Sequence, residues 1–197
     1  MRNLAIRLLA LLGLVVAMTM SPVGVATAAH HAPPASPDDP LLHRQARTDE
    51  ELKRQIELQL KLAPGGKQTA VNEVSYADGK FVVTFALPSS SGSFTTAAAA
   101  DCPVGWFCFY DGANFGYPRG KLSDCGWQDL ANWGWQDRTS SVHNNRGPRV
   151  DYINHFDYGD PSNGHFFDVF LFANTNGQAI ASLGSNNNKA DHVRLYC

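Results

Sequence analysis

The sequence predicts an all-β domain, a sandwich or barrel of short strands tied by two disulfides and preceded by a short helix and a hairpin. Three observations carry this. From Cys102 onward the chain has no Glu and no long run of helix formers. Short apolar runs such as Trp106-Phe107-Cys108-Phe109-Tyr110 and Val169-Phe170-Leu171-Phe172 alternate there with Gly, Asn and Asp turns. All four cysteines, Cys102, Cys108, Cys125 and Cys197, fall in the same part. The chain also opens like an exported protein, and an even cysteine count in such a chain reads as disulfides.

The opening has a basic start with Arg2 and Arg7, an apolar run from Leu8 to Met20, and the small residues Ala26-Thr27-Ala28. That order predicts a signal peptide over residues 1–28. The apolar run is too short for a spanning helix, which needs about 20 residues. Residues 29–47, rich in Pro and small side chains, are expected to be disordered. Removing Arg2 and Arg7 from the 16 basic residues leaves 14 against 18 acidic ones. A basic footprint for nucleic acid is lacking, as is a polybasic segment for a membrane surface.

Residues 48–87 read as a helix and a hairpin. Thr48 and Glu51 form a capping box, and Asp49 and Glu50 favour the first turn. Leu52, Ile56, Leu60 and Ala63 recur at the helical period, Leu58 and Leu62 widen the stripe, and Pro64-Gly65-Gly66 ends it. Val71 to Tyr76 predicts a strand, Asp78-Gly79 a turn, and Phe81, Val83, Phe85 and Leu87 an alternating second strand. This segment is either a layer on the main domain or an appendage. Residues 88–101, in which Pro88 to Ala100 run PSSSGSFTTAAAA, read as a linker by composition, leaving residues 102–197 as the main domain.

Of the three pairings open to four cysteines, Cys102–Cys108 closes a local loop and Cys125–Cys197 pins the last residue to the domain body. That pairing is favoured. A zinc site is disfavoured, because paired CxxC knuckles are lacking and the His spacing is poor. Trp127, Trp133 and Trp135 are close in sequence and read first as core, with a binding strip as the alternative. A short helical turn is expected around Asp129 to Trp133.

The strings Cys102-Pro103-Val104-Gly105-Trp106-Phe107-Cys108-Phe109-Tyr110, Asn114-Phe115-Gly116, Asp124-Cys125 and Gln136-Asp137-Arg138-Thr139-Ser140-Ser141-Val142 resemble peptidase inhibitor family I36. Its members include small Streptomyces inhibitors of thermolysin-like metalloproteinases. The resemblance implies a βγ-crystallin-like fold of two Greek-key motifs. Actinobacterial relatives look similar in the preceding helix and hairpin too. The resemblance suggests calcium as the one ion, with Asp137, the Arg138 carbonyl and Ser140 as ligands, although Gln136 replaces the usual first Asn or Asp. In the later stretch Asn187 to His192, Asp191 and His192 replace a Ser/Thr-Ser pair. The alternative is a turn held by Ser140 and Ser141 hydrogen bonds. No cofactor is required, and a monomer is expected.

Residues 157–165 read as an enlarged loop. The inhibitory loop is not assigned to residues, since the resemblance carries none across. Nucleophile-elbow, zinc-protease and phosphate-loop motifs are all lacking. In the main domain, which lacks Glu, glycosidase chemistry would rest on two of its nine Asp residues, and a Cys nucleophile beside His143 or His192 would need a free thiol. The expected function is inhibition of a secreted, thermolysin-like metalloprotease through an exposed disulfide-supported loop. The alternative is an extracellular module that binds calcium or a glycan, with Trp127, Trp133, Tyr117 and Tyr158 as stacking residues.

Overall fold

The computed structural model describes residues 35–88, 99–155 and 168–197. The expected signal peptide, most of the linker and the loop 157–165 lie outside the described residues. Helix α1 (Asp49–Leu62) begins where the capping signal places it, with the Thr48 hydroxyl accepting from the Glu51 N–H at 3.1 Å. The Glu51 carboxylate reaches back one residue further than in a closed capping box. It accepts from the Arg47 N–H and pairs with Arg44, which holds its carboxyl down at about 2. The buried face of α1 comprises Leu52, Gln55, Ile56 and Gln59.

Two antiparallel sheets follow. The first has seven strands, with β1 (Lys67–Ala70), β2 (Glu73–Tyr76), β3 (Phe81–Thr84), β4 (Phe107–Gly112), β5 (Gly116–Leu122), β7 (Ser141–Asn144) and β10 (Ala179–Ile180) in the order β1-β2-β3-β5-β4-β7-β10. The second has four: β6 (Gly126–Asp129), β8 (Val150–Asn154), β9 (Val169–Asn174) and β11 (His192–Leu195), in the order β6-β11-β8-β9. A 3₁₀ turn at Leu130–Trp133 occupies the place expected for a short helical turn, and the Asp129 carboxylate caps it.

The hairpin predicted from Asp78-Gly79 forms and joins the first sheet, between the edge strand β1 and β5. β3 pairs with β2 on one side and β5 on the other, in register Phe81↔Leu122 to Thr84↔Arg119. Val82 and Thr84 are therefore buried along with Phe81 and Val83, where alternation alone had placed one face outward. β1 carried no signal, because its four residues KQTA are all exposed. The larger of two buried apolar clusters among the described residues draws on α1, the hairpin and both sheets, with Phe81, Phe109, Trp135, Tyr152 and Val193 among its members. Phe81 stacks on Trp133 at 4.5 Å, and Phe109 meets Trp135 edge-on at 5.3 Å. Gly120 lies opposite Phe109, whose ring occupies the place a Cβ would need.

The expectation of disorder over residues 29–47 is corrected for its described part. Leu42 and Ala46 are buried, and the Gln55 amide donates to the Leu41 and Arg44 carbonyls, each at 2.6 Å. Composition registers the prolines of this stretch, but two apolar side chains and captured backbone carbonyls are enough to hold it on the domain.

Both favoured disulfides form. Cys102–Cys108 spans 6 residues and Cys125–Cys197 spans 72.

Candidate functional site

The short disulfide closes a turn that stands out from the first sheet. Trp106 N–H donates to the Pro103 carbonyl at 3.2 Å, and Gly105 has φ +86°, a conformation that glycine adopts without strain. Val104, at the tip, is 85% exposed.

The turn is held from beneath by one neighbouring segment. Gly105 N–H donates to the Asn145 carbonyl at 2.9 Å, Asn145 N–H returns a bond to the Trp106 carbonyl at 2.9 Å, and the Asn145 amide reaches the Cys102 carbonyl at 2.8 Å. Arg146 donates to the Gly105 carbonyl at 3.2 Å, and the Lys121 ammonium sits 4.9 Å over the Trp106 ring. The result is an apolar tip on a backbone fixed by a disulfide and several hydrogen bonds. Sequence reading missed Asn145 and Arg146, since nothing in the string HNNRG marks them as supports.

Asp101, just before the disulfide, accepts from the Tyr110 hydroxyl at 2.9 Å and from the Tyr117 hydroxyl, and it pairs with Arg119 at 2.9 Å. Tyr117 is therefore tied into the domain body. Of the other stacking candidates, Trp133 is packed on the core, Trp127 is 36% exposed on the second sheet, and Tyr158 lies outside the described residues.

The stretches named for calcium do meet. Asn188 N–H donates to the Thr139 carbonyl at 2.9 Å, and Asp137 N–H to the Ala190 carbonyl at 3.1 Å. Within them, however, the Ser140 hydroxyl donates to the Asn188 side-chain oxygen at 2.9 Å, and the Ser141 hydroxyl donates to the Gly112 carbonyl at 2.7 Å. Asp137 adopts φ +55°, and burial raises its carboxyl. Calcium takes six to eight oxygens, and here serine and amide oxygens satisfy each other as in a hydrogen-bonded turn.

The Arg138 side chain runs inward. It contacts the Asp111 carboxylate through Nε and Nη2, both at 2.9 Å, and donates to the Gly134 carbonyl at 2.9 Å. It also reaches the Gln59 side-chain oxygen and the Leu42 carbonyl, both at 3.3 Å, while its guanidinium lies 4.4 Å over Trp135.

The model of peptidase inhibitor family I36 matches residues 95–165, a segment that includes the disulfide turn and its supports. This is the family the sequence resembles on the residues quoted above. No curated protein matches the chain. Among solved structures, the chain is similar to a protein described under the evolution of the eye lens βγ-crystallin domain fold, with 19% identity over 51% of this chain and 93% of that one and a TM-score of 0.37. It is also similar to a clostrillin double mutant in complex with nickel (20% identity, 47% and 98% covered, TM-score 0.36). A mutant βγ-crystallin domain from Clostridium beijerinckii is comparable (21% identity, 46% and 97% covered, TM-score 0.35). Among the described residues no helix is long and apolar enough to cross a membrane. The two disulfides and the inhibitor-family match fit an extracellular protein.

Proposed function

We propose that the protein inhibits an extracellular metalloprotease of the thermolysin-like kind, with the turn between Cys102 and Cys108 as the contact segment. The match of residues 95–165 to an inhibitor family carries this reading. The turn supports it physically. A loop whose conformation is fixed before binding loses little entropy on entering a cleft, and thermolysin-like enzymes favour a hydrophobic residue of the kind Val104 offers.

The test is a titration of the protein against a thermolysin-like metalloprotease with a small fluorogenic peptide. Stoichiometric inhibition is expected, abolished by reduction and alkylation, and weakened at least tenfold by Val104→Asp, which would lose apolar contact and bury a charge. Folded protein that fails to inhibit at micromolar concentration refutes the target class. Tight inhibition left unchanged by Val104→Asp moves the contact to another loop.

A second reading is an extracellular module that binds a cell-surface glycan. It draws on Trp127 and Phe170 of the second sheet and Tyr196 just after β11, large side chains that keep 36–53% of their surface exposed, since exposed apolar rings suit sugar stacking. Retention on insoluble cell-wall polymer, lost in Trp127→Ala, is its signature.

A further inference from the structure

At one end of the second sheet, three strands bring together side chains that lie far apart in the sequence. β8 and β9 pair through Asn154↔Val169, so the next positions across the ladder are His155 and Asp168. β11 lies on the other side of β8, and its first residue, His192, is opposite Ile153. The antiparallel register alone thus delivers two imidazoles and a carboxylate to one place.

Their ligand-type atoms lie within 4.8 Å of one another. His155 Nδ1 is 2.9 Å from Asp168 Oδ1, and His192 Nε2 is 3.8 Å from Asp168 Oδ2. The two imidazole rings are 5.4 Å apart and nearly perpendicular. A tetrahedral ion with bonds of about 2.0–2.2 Å sets its ligands roughly 3.3 Å apart. Side-chain shifts of about an ångström would therefore bring the three atoms around one ion.

We infer that His155, Asp168 and His192 form a binding site for a divalent transition-metal ion of the zinc class. The donor set is the one such ions take, since imidazole and carboxylate suit zinc, nickel and cobalt better than the all-oxygen ligation of calcium. The surroundings are those of a metal site as well. The second nitrogen of His192, Nδ1, lies 3.6 Å from the Asp129 carboxylate, which places an outer acceptor on the side of the ring away from the ion, as around ligating histidines. His155 N–H donates to the Asp191 carboxylate at 2.7 Å, which locks the backbone that carries the imidazole. Trp127 covers one side, its ring 5.0 Å from that of His192. The side chains of Asp168 and His192 are almost fully buried, whereas that of His155 is about one-third exposed and offers ions a route in. Bound metal would clamp the ends of β8 and β9 to β11. This site is distinct from the Val104 turn and does not depend on the inhibitor reading.

The test is equilibrium dialysis of the chelator-treated protein against zinc chloride, with thermal unfolding in parallel. One equivalent of zinc is expected. At about 100 μM it should raise Tm by roughly 5 °C or more. His155→Ala and Asp168→Asn should each weaken uptake at least tenfold. His155→Ala alters a partly exposed side chain, so its zinc-free Tm should stay near that of the parent and the readout survives even if Asp168→Asn destabilises the fold. Cobalt in place of zinc should give an intense visible spectrum that both variants lose. Absence of saturable uptake by about 100 μM zinc overturns the site. So does uptake unchanged in both variants, as ions bound at His30 and His31 would give.

Discussion

Two clusters of charged and polar side chains in this fold are built on opposite plans. Around Arg138 a cation is already at the centre. Asp111, Gln59, the Gly134 and Leu42 carbonyls and the Trp135 face all converge on one guanidinium. Around Asp168 the centre is a carboxylate with imidazoles on two sides. Every member of this second set can ligate a metal ion, whereas the first set carries its own positive charge. The difference teaches what each cluster is for. The first cross-links the segment before α1, the helix, β4 and the 3₁₀ turn, and its product is stability. The second lies where three strand ends meet, and what it offers is a place for an ion.

The largest effect expected from this contrast is in the first cluster. Arg138→Met removes the cation and leaves the buried Asp111 carboxylate with His43 as its remaining ionic partner. Breaking one side of a buried pair costs about 3–5 kcal/mol. Urea unfolding of this variant should show such a loss with little change in m-value. A loss under about 1 kcal/mol would mean that water reaches Asp111 freely, and the cross-link account would fail.

A smaller, pH-dependent effect belongs to His43. Its Nδ1 is 3.0 Å from the Asp111 carboxylate and its Nε2 is 2.7 Å from the Pro37 carbonyl. Both nitrogens face acceptors, so only the doubly protonated ring satisfies both. The hydrogen bond with Asp111 raises the His43 pKa, against burial and the nearby Arg138, which lower it. A folded-state pKa above the unfolded value of about 6.5 gives stability that is fully present below that pH and fades as pH climbs through the folded pKa. Partial exposure keeps the effect under about 1 kcal/mol. Unfolding free energy measured from pH 5.5 to 8.5 should therefore fall more steeply in the parent than in His43→Gln. Parallel pH profiles would show that the imidazole is neutral in this contact.

Much of the first cluster's surroundings could be read from the sequence, but not the cluster itself. The Thr48 cap, the Asp78-Gly79 turn and the aromatic run ending at Tyr110 are local signals, and each produced its element. Both disulfides followed from cysteine number and placement. Gln55 and Gln59 lie on the buried face of α1, where periodicity counts only apolar residues. Their burial depends on backbone carbonyls supplied by segments distant in sequence, such as Leu41 and Trp133. Arg138 sat inside a motif read for its carbonyl oxygen, and nothing local reveals that its side chain turns inward. The second cluster was less legible still. His155 and Asp168 are thirteen residues apart and match no spacing motif. A bulge between Tyr152 and Ile153 shifts the β8–β9 register, and that shift decides which residues meet.

The smallest expected effect separates the two kinds of metal chemistry. Calcium would have to use Asp137 and Ser140, whose hydroxyl donates to Asn188. Ligating calcium there exchanges a settled hydrogen-bonded turn for one carboxylate and a few neutral oxygens, since the Ser140 hydroxyl that donates to Asn188 must also turn a lone pair to the ion. That exchange is weak for an ion that needs six to eight oxygens. Millimolar calcium should therefore leave Tm within about 1 °C of the chelator-treated protein, while zinc shifts it by several degrees. A calcium-dependent rise of several degrees, abolished by Asp137→Asn, would show that the two stretches rearrange into an oxygen cage. In that event the hydrogen-bonded turn would be the ion-free state of a calcium site, and the protein would carry two metal sites of opposite ligand preference.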